Sequence, residues 1–504
     1  MDSHDTHSDD EKASPAAPPA GASPRDITGT VPECGDAPRG AVGAPAAYRL
    51  YRRRFVGVVG IVLLNAVAAM PNPWYGPIAN NVSSDFGFTL DQVNWLGNVL
   101  NLVFLPSSIV VPFVCKRFNI RITCYIATSI LVLSAWIRYA GVARSLNRQS
   151  AYALMMVGQV LAGVAQPAFQ VIGPLYSERW FDLKSRTTMT MLMSIANPIG
   201  SGLAQLISPL SGSPRSSILV LAVICTAVIP CALLVGNAPP TPPTYAASQP
   251  SPPFTSLVRA VLGREPTDRP TYMSLRERLD LAILTLNFGV LVGAVTSFAI
   301  LTNQDLAPYG YSSDTSGFMG ATLLLAGLVC ALVTAPLFDR VLTHHLARTC
   351  HALCPALGAL WLSLVWAVKE NNTGGLFAIM ALIGAGSVTL LPVALELAVE
   401  VTRNADGSAA VLWFAGNLMS ITCVLSEGAL RAGPDAHPPL NMRRALIFQG
   451  ALVCGAVVTI AGLRGRQARR EMDERVLREG VEMQVVEHDW EQGKGGSGSG
   501  EPKE

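Results

Sequence analysis

Two carboxylates, Glu396 and Glu400, stand four residues apart inside an apolar run, so a helix there carries both on one face. A carboxylate at mid-bilayer costs roughly 2.5 to 3.5 kcal/mol unless it is paired or protonated. Glu396 is therefore either a proton-coupling group or a salt-bridge partner for a nearby basic loop, and Glu400, one turn nearer the end of the run, suits an ion-pair latch. Amides and large polar aromatics recur in the other apolar runs: Asn65, Trp74 and Tyr75; Asn98 and Asn101; Gln159, Gln166 and Gln170; Asn197; Asn287; Trp413 and Asn417. Polar side chains in hydrocarbon turn towards a protein interior or a water-filled chamber. They either contact a solute or tie helices together at about 0.6 kcal/mol each. The substrate-contact set this predicts is Trp74, Tyr75, Gln166, Asn197, Asn287 and Asn417.

Other chemistry is absent from the sequence. His344, His345, Cys350, His351 and Cys354 carry ligand atoms, but their spacing matches no closed zinc pattern, so they read as loop histidines and packed thiols. No metal or cofactor is expected. There is no Gly-x-x-x-x-Gly-Lys-Ser/Thr loop and no nucleophile elbow, so the chain is not expected to be an enzyme. Six of the ten cysteines, Cys124, Cys225, Cys231, Cys330, Cys423 and Cys454, fall inside apolar runs, where a thiol packs as a small hydrophobe rather than forming a disulfide framework.

The elements that must position these groups are membrane helices. Half the residues are hydrophobic and 14% are charged, against about a quarter in soluble domains, and about 20 apolar residues cross the hydrocarbon layer. Spans are predicted near 55–79, 91–114, 120–142, 151–175, 187–209, 216–236, 279–303, 315–338, 349–368, 375–400, 408–430 and 444–463. They form two sets of six, an all-α membrane protein with an N-terminal bundle over 51–236 and a C-terminal bundle over 279–463. A polar, proline-rich segment, 237–278, joins them as a cytosolic loop. Residues 1–50, rich in Pro, Ala, Gly, Asp and Ser, read as a disordered cytosolic tail, and 464–504 as a charged cytosolic tail. The formal charge of +2 gives no reason to expect nucleic-acid binding.

The distribution of charge orients the chain. Arg52, Arg53 and Arg54 precede the first span, and lysine and arginine are retained in the cytosol, so both termini are expected inside. Alternate loops carry Arg117 and Arg121, Arg179, Arg259, Arg276, Arg340, Arg403 and Arg464 on that same side. The Asn-x-Ser/Thr triplets at Asn81 and Asn371 fall on the other side. The plasma membrane is the expected location, a monomer the expected state, and a small solute and the bilayer the expected partners.

A short charged turn recurs at equivalent places in the two sets. Lys116-Arg117-Phe118-Asn119-Ile120-Arg121 follows the second span, and Asp339-Arg340 follows the eighth. This repeat resembles the loop motif of the major facilitator superfamily, which implies twelve helices in two pseudo-repeats around a central site. Asn119 stands where the motif has glycine, and Asn tolerates the left-handed backbone. Glu178 and Glu400 end the fourth and tenth spans, so Arg117, Arg121, Glu178, Asp339, Arg340, Glu396 and Glu400 form the predicted cytosolic gate. Glu427 and Arg431 at the outer end of the eleventh span form either an outer closure or a solvated pair.

A narrower likeness rests on Asn94-Trp95-Leu96, Ala135-Trp136-Ile137-Arg138, Ser194-Ile195-Ala196-Asn197-Pro198-Ile199-Gly200, Leu301-Thr302-Asn303-Gln304 and Leu391-Pro392-Val393-Ala394-Leu395-Glu396. These stretches resemble the feline leukaemia virus subgroup C receptor-related transporters, whose members are associated with haem export and with choline or ethanolamine uptake. Choline-handling members box the quaternary ammonium with a first-span Trp and a seventh-span Tyr, helped by Gln residues in the fifth and eleventh spans. Here Trp74 is one position displaced, Thr296 holds the Tyr position, and Pro198 and Asn417 replace the two Gln residues. The resemblance implies a secondary transporter of a small organic solute working by alternating access. The other readings are a haem exporter and a membrane sensor or receptor on the same fold.

Overall fold

The computed structural model describes residues 50–181, 183–241, 254–267, 272–340 and 345–466. Among them there is no strand; the chain is a succession of helices. Helix α1, Arg54–Ala69, is followed by α2, Ala79–Phe86, and by α3, Leu90–Ala140. Next come α4, Arg148–Trp180, α5, Leu183–Leu210, α6, Pro214–Ala227, and α7, Ile229–Leu234. The short α8, Phe254–Val261, precedes α9, Leu275–Leu306, α10, Ser313–Arg340, and α11, Leu346–Ala367. The last three are α12, Thr373–Thr402, α13, Ala405–Ala429, and α14, Arg443–Val458.

Ten segments among the described residues are long and apolar enough to cross a membrane, two of them within α3. Of the two other predicted spans, the first corresponds to α1, which is apolar but has only 16 residues, and the fifth to α5, which has 28. The first span departs most from expectation. It was predicted to run unbroken over 55–79, yet helix ends at Ala69 and the chain makes a succession of turns before α2. Pro71 and Pro73 explain this, since proline has no N–H to give a helix and clashes with the preceding turn. Irregular backbone is tolerable at this depth because residues 70–79 are all buried in protein.

Helix starts follow ordinary capping chemistry. Thr89 with Gln92 caps α3 and Ser274 with Glu277 caps α9, each pair forming a reciprocal capping box. Inside α3 the helix is broken at Asn119, with φ 70° and ψ 163°. The positive φ expected there is present, but ψ is extended rather than left-handed helical, a region that is nearly exclusive to glycine. The break lies near the start of the second of two membrane-length segments within α3, Leu90–Cys115 and Arg117–Ala140.

Buried apolar side chains gather into two large cores, one drawn from residues between Val58 and Val235 and the other from residues between Leu257 and Leu463. The short α8 belongs to the second through Leu257 and Ala260. Between the cores, α5 packs on α10 and α3 on α13. Small residues let these helices approach closely: Gly317 and Gly320 lie against Gln205, and Gly202 against Leu325.

Candidate functional site

For reference, the proximal face is the end of the bundle at which α1 begins, and the distal face is the opposite end. In the first half, the broken segment after α1 exposes carbonyls that need donors. Gln159 of α4 supplies Nε2 to Pro71 O at 3.1 Å and to Leu96 O at 2.8 Å, while Ser208 of α5 donates to Trp74 O at 2.6 Å. Gln159 also accepts from Arg138 Nη1 at 2.6 Å. Arg138 is fully buried within α3, so this amide ties a guanidinium inside the membrane to the broken segment. Trp74 Nε1 donates to Ser217 Oγ at 3.0 Å, and Asn72 Nδ2 to Asn101 Oδ1 at 2.8 Å.

The two halves are joined at the distal face. Arg431, just beyond α13, forms an ion pair with Asp91 at the start of α3, at 2.8 Å. The amides of Asn94 and Gln304 meet one turn deeper. Gln205 Nε2 donates to Ala299 O at 2.6 Å, and Asn303 N–H reaches Gly76 O at 3.4 Å. Gly76 is needed here because a Cβ on it would lie 2.1 Å from Ala299 O. The predicted Glu427 and Arg431 pair is thus corrected: Arg431 reaches across to Asp91. Glu427 instead is buried in the second half and accepts from Ser297 Oγ at 3.0 Å.

Beneath this seal lies a cavity with about 990 Å³ of empty space, the solvent it opens to included. The first half contributes Asn72, Pro73, Asn197, Pro198 and Ser201; the second contributes faces of α9, α12 and α13. Phe288 and Trp413 meet edge to face on its wall, with centroids 5.5 Å apart and planes at 89°. Asn287 Nδ2 donates to Ile283 O and Thr459 Oγ1, both at 2.9 Å, leaving Oδ1 without a hydrogen-bond partner. Asn197 Nδ2 and the Ser387 hydroxyl also have none.

Of the six predicted substrate contacts, Asn197 and Asn287 line this cavity. The other four lie off its wall. Trp74 and Tyr75 are buried behind it, and Gln166 is buried in α4. Asn417 turns Nδ2 back to Trp413 O in its own helix, at 2.9 Å. Thr296 and Pro198, two of the positions at which the chain departs from the choline pattern, both line the cavity. Residues missed by polarity alone include Asn72, Ser201, Phe288 and Ser387. A helical-face rule applied from Asn287 would have found most of the α9 wall, since Leu284, Leu291, Val295 and Ala299 are reached from it in steps of three and four.

On the proximal face, the Arg117 guanidinium lies over the Phe118 ring at 5.8 Å, and Arg121 Nε donates to Tyr125 Oη at 2.8 Å. Glu400 is buried and Glu396 half-buried, and neither is without a partner. The side chains of Glu178, Asp339 and Arg340 lie outside the described residues, as does His344. Arg403 binds Glu277 at 2.5 Å, and Asp280 receives Arg276 at 3.0 Å, both within the second half. Cys350 and Cys354 line the cavity, whereas His345 and His351 are exposed. Among the described residues, no group of three or more His, Cys, Asp or Glu side chains could hold a metal ion.

Comparison with known proteins agrees with this architecture. Residues 55–423 match the model of the Major Facilitator Superfamily. Solute carrier family 49 member A3 of Xenopus tropicalis is 27% identical over 421 residues, covering 81% of this chain and 84% of the relative. The choline/ethanolamine transporter FLVCR1 of Felis catus is 24% identical over 418 residues, covering 79% of this chain and 71% of the relative. Among solved structures, a D-xylose-proton symporter superposes with a TM-score of 0.59 at 12% identity, over 82% of this chain and 98% of that one. The nucleoside transporter NupG superposes at 0.58 with 11% identity, over 82% of this chain and 99% of that one.

Proposed function

The chain belongs to the major facilitator superfamily, and from that premise we propose that the cavity between its halves is the substrate site of a secondary carrier for a small organic solute. The observation that carries this reading is a chamber walled by both halves beneath contacts that join those halves at one face only one or two turns away. A solute held there is released when the joined face opens and the other closes, which is alternating access about a central site. Asn197 and Asn287, one from each half, are the proposed contacts.

In this reading the proximal face is cytosolic, because the arginines before α1 and in alternate loops belong on that side. Both termini are then cytosolic, and the chain works as a monomer in the plasma membrane. The bundles over 51–236 and 279–463 are the rocking units. The structure then corresponds to the state sealed towards the outside. In the opposite state, Arg117, Arg121, Glu178, Asp339, Arg340, Glu396 and Glu400 close the cytosolic face. Uphill movement draws on an ion gradient or on a solute gradient.

The choline and ethanolamine transport named for the relatives is not carried over. Thr296 and Pro198 stand in the cavity wall where the choline-handling pattern has Tyr and Gln. The test is an untargeted comparison of metabolite uptake and efflux in cells with and without the protein, followed by counterflow in proteoliposomes. Asn197→Ala and Asn287→Ala should each lower exchange at least tenfold, equivalent to about 1.4 kcal/mol of lost contact. Full exchange by both variants at equal surface abundance would remove the cavity from the transport path. Ligand binding without any exchange by the unmodified protein would make it a sensor.

A further inference from the structure

The wall of the central cavity has hydrogen-bonding atoms but no full charge. Among the described residues that line it there is no Asp, Glu, Lys, Arg or His. Three of its polar groups have an atom without a hydrogen-bond partner: the Asn197 amide of the first half, which no hydrogen bond holds and which can turn to offer N–H or oxygen, Asn287 Oδ1, an acceptor from the second, and the Ser387 hydroxyl, which can do either. Asn287 is only 3% exposed. Its Nδ2 is committed to Ile283 O and Thr459 Oγ1, so the amide cannot turn over, and its oxygen is held as the acceptor. A buried polar atom left unpaired is destabilising, and a solute that completes it recovers that loss. An anion would leave water for a wall with no positive charge, and a cation would find no carboxylate there, only ring faces. The Phe288 and Trp413 rings add a flat apolar flank.

We infer that the transported solute is an uncharged amide, primary or cyclic, carried on an apolar or aromatic body. Its carbonyl accepts from the Asn197 side, and its N–H donates to Asn287 or Ser387. The inference rests on the reading of this cavity as the substrate site and narrows it to one chemical class. It also separates this chain from relatives named for a quaternary ammonium and a primary ammonium solute.

Three probes with one ring and three charges decide the matter: nicotinamide, neutral; nicotinate, an anion; and N-methylnicotinamide, a fixed cation. The purified full-length protein is assayed for binding by ligand-induced thermal shift, and for exchange by counterflow in proteoliposomes. Nicotinamide should bind at least tenfold more tightly than either ion. Asn287→Leu should weaken nicotinamide at least tenfold, but it also removes the bond to Thr459, so its melting temperature is measured alongside. Asn197→Asp is the second variant, since Asn197 Nδ2 has no hydrogen-bond partner in the structure. A carboxylate there should reverse the order in favour of N-methylnicotinamide. The inference is overturned if either ion binds as tightly as nicotinamide, if none of the three binds, or if Asn197→Asp leaves the order unchanged. Should nicotinamide bind in the expected order yet fail to exchange across the bilayer, the carrier reading falls while the chemical class of the ligand stands.

Discussion

Two regions, the proline-broken segment after α1 and the wall of the cavity, use polar side chains in opposite ways. In the first half, Gln159, Ser208 and Trp74 spend their hydrogen bonds on the chain itself, tying a proline-broken helix to Arg138 and to neighbouring helices. Around the cavity, Asn287 and Ser387 of the second half and Asn197 of the first each have an atom without a hydrogen-bond partner. Polarity inside a membrane span therefore has two meanings. A polar group whose capacity is consumed by its own fold is scaffold, and one whose capacity is left over is available to a solute.

The sharpest way to break that contrast is at Gln159. Gln159→Leu removes the amide acceptor of a fully buried guanidinium, and leaving a buried charged donor unsatisfied costs about 3 kcal/mol or more. Thermal melting in detergent should show a large loss of stability. Asn287→Leu should instead cost no more than about 2 kcal/mol. Equal melting losses for the two variants would erase the distinction between scaffold and site.

Where the halves meet, Gly76→Ala drives a methyl group against Ala299 O and should cost about 2 to 3 kcal/mol through overpacking. The loss falls on the distally sealed state, so cross-linking between cysteines placed by Asn94→Cys and Gln304→Cys should drop. Unchanged cross-linking would show that Gly76 does not set the distance between the halves. Asn119→Gly acts the other way. It relieves a non-glycine residue at φ 70° and ψ 163° and should raise stability by about 1 kcal/mol. A fall in melting temperature on that change would mean that the asparagine side chain is needed at the bend.

The smallest effect is expected at Asp91. Its side chain is 72% exposed, so Asp91→Asn should cost only about 0.5 kcal/mol. It should nonetheless shift the balance between sealed and open distal faces, an effect that added salt imitates. Insensitivity of distal labelling to both the substitution and ionic strength would take the Asp91 and Arg431 pair out of the seal.

Much of the fold was legible because it depends on runs of apolar residues and on local capping, both of which are properties of short stretches. The helices from α9 to α14 lie within a few residues of their predicted spans. The first span was misread for a local reason: hydropathy does not register that Pro71 and Pro73 end a helix whose surroundings stay buried. The site was less legible because its membership depends on what each polar atom already bonds. Trp74 and Asn287 look alike in sequence, as polar side chains in apolar runs. They differ only in that Ser217, 143 positions away, takes the indole N–H, while Thr459 takes one side of the amide and leaves the other. Such pairings over long separations cannot be read from spacing along the chain.

Cys350 and Cys354 face the same chamber as the unpaired amides. That placement turns the protein into its own occupancy gauge. Both thiols are only 1% exposed, so a small maleimide would reach them slowly and only through the chamber, and a compound filling the chamber would slow their alkylation further. Any unlabelled compound could then be screened by mass spectrometry of two thiols.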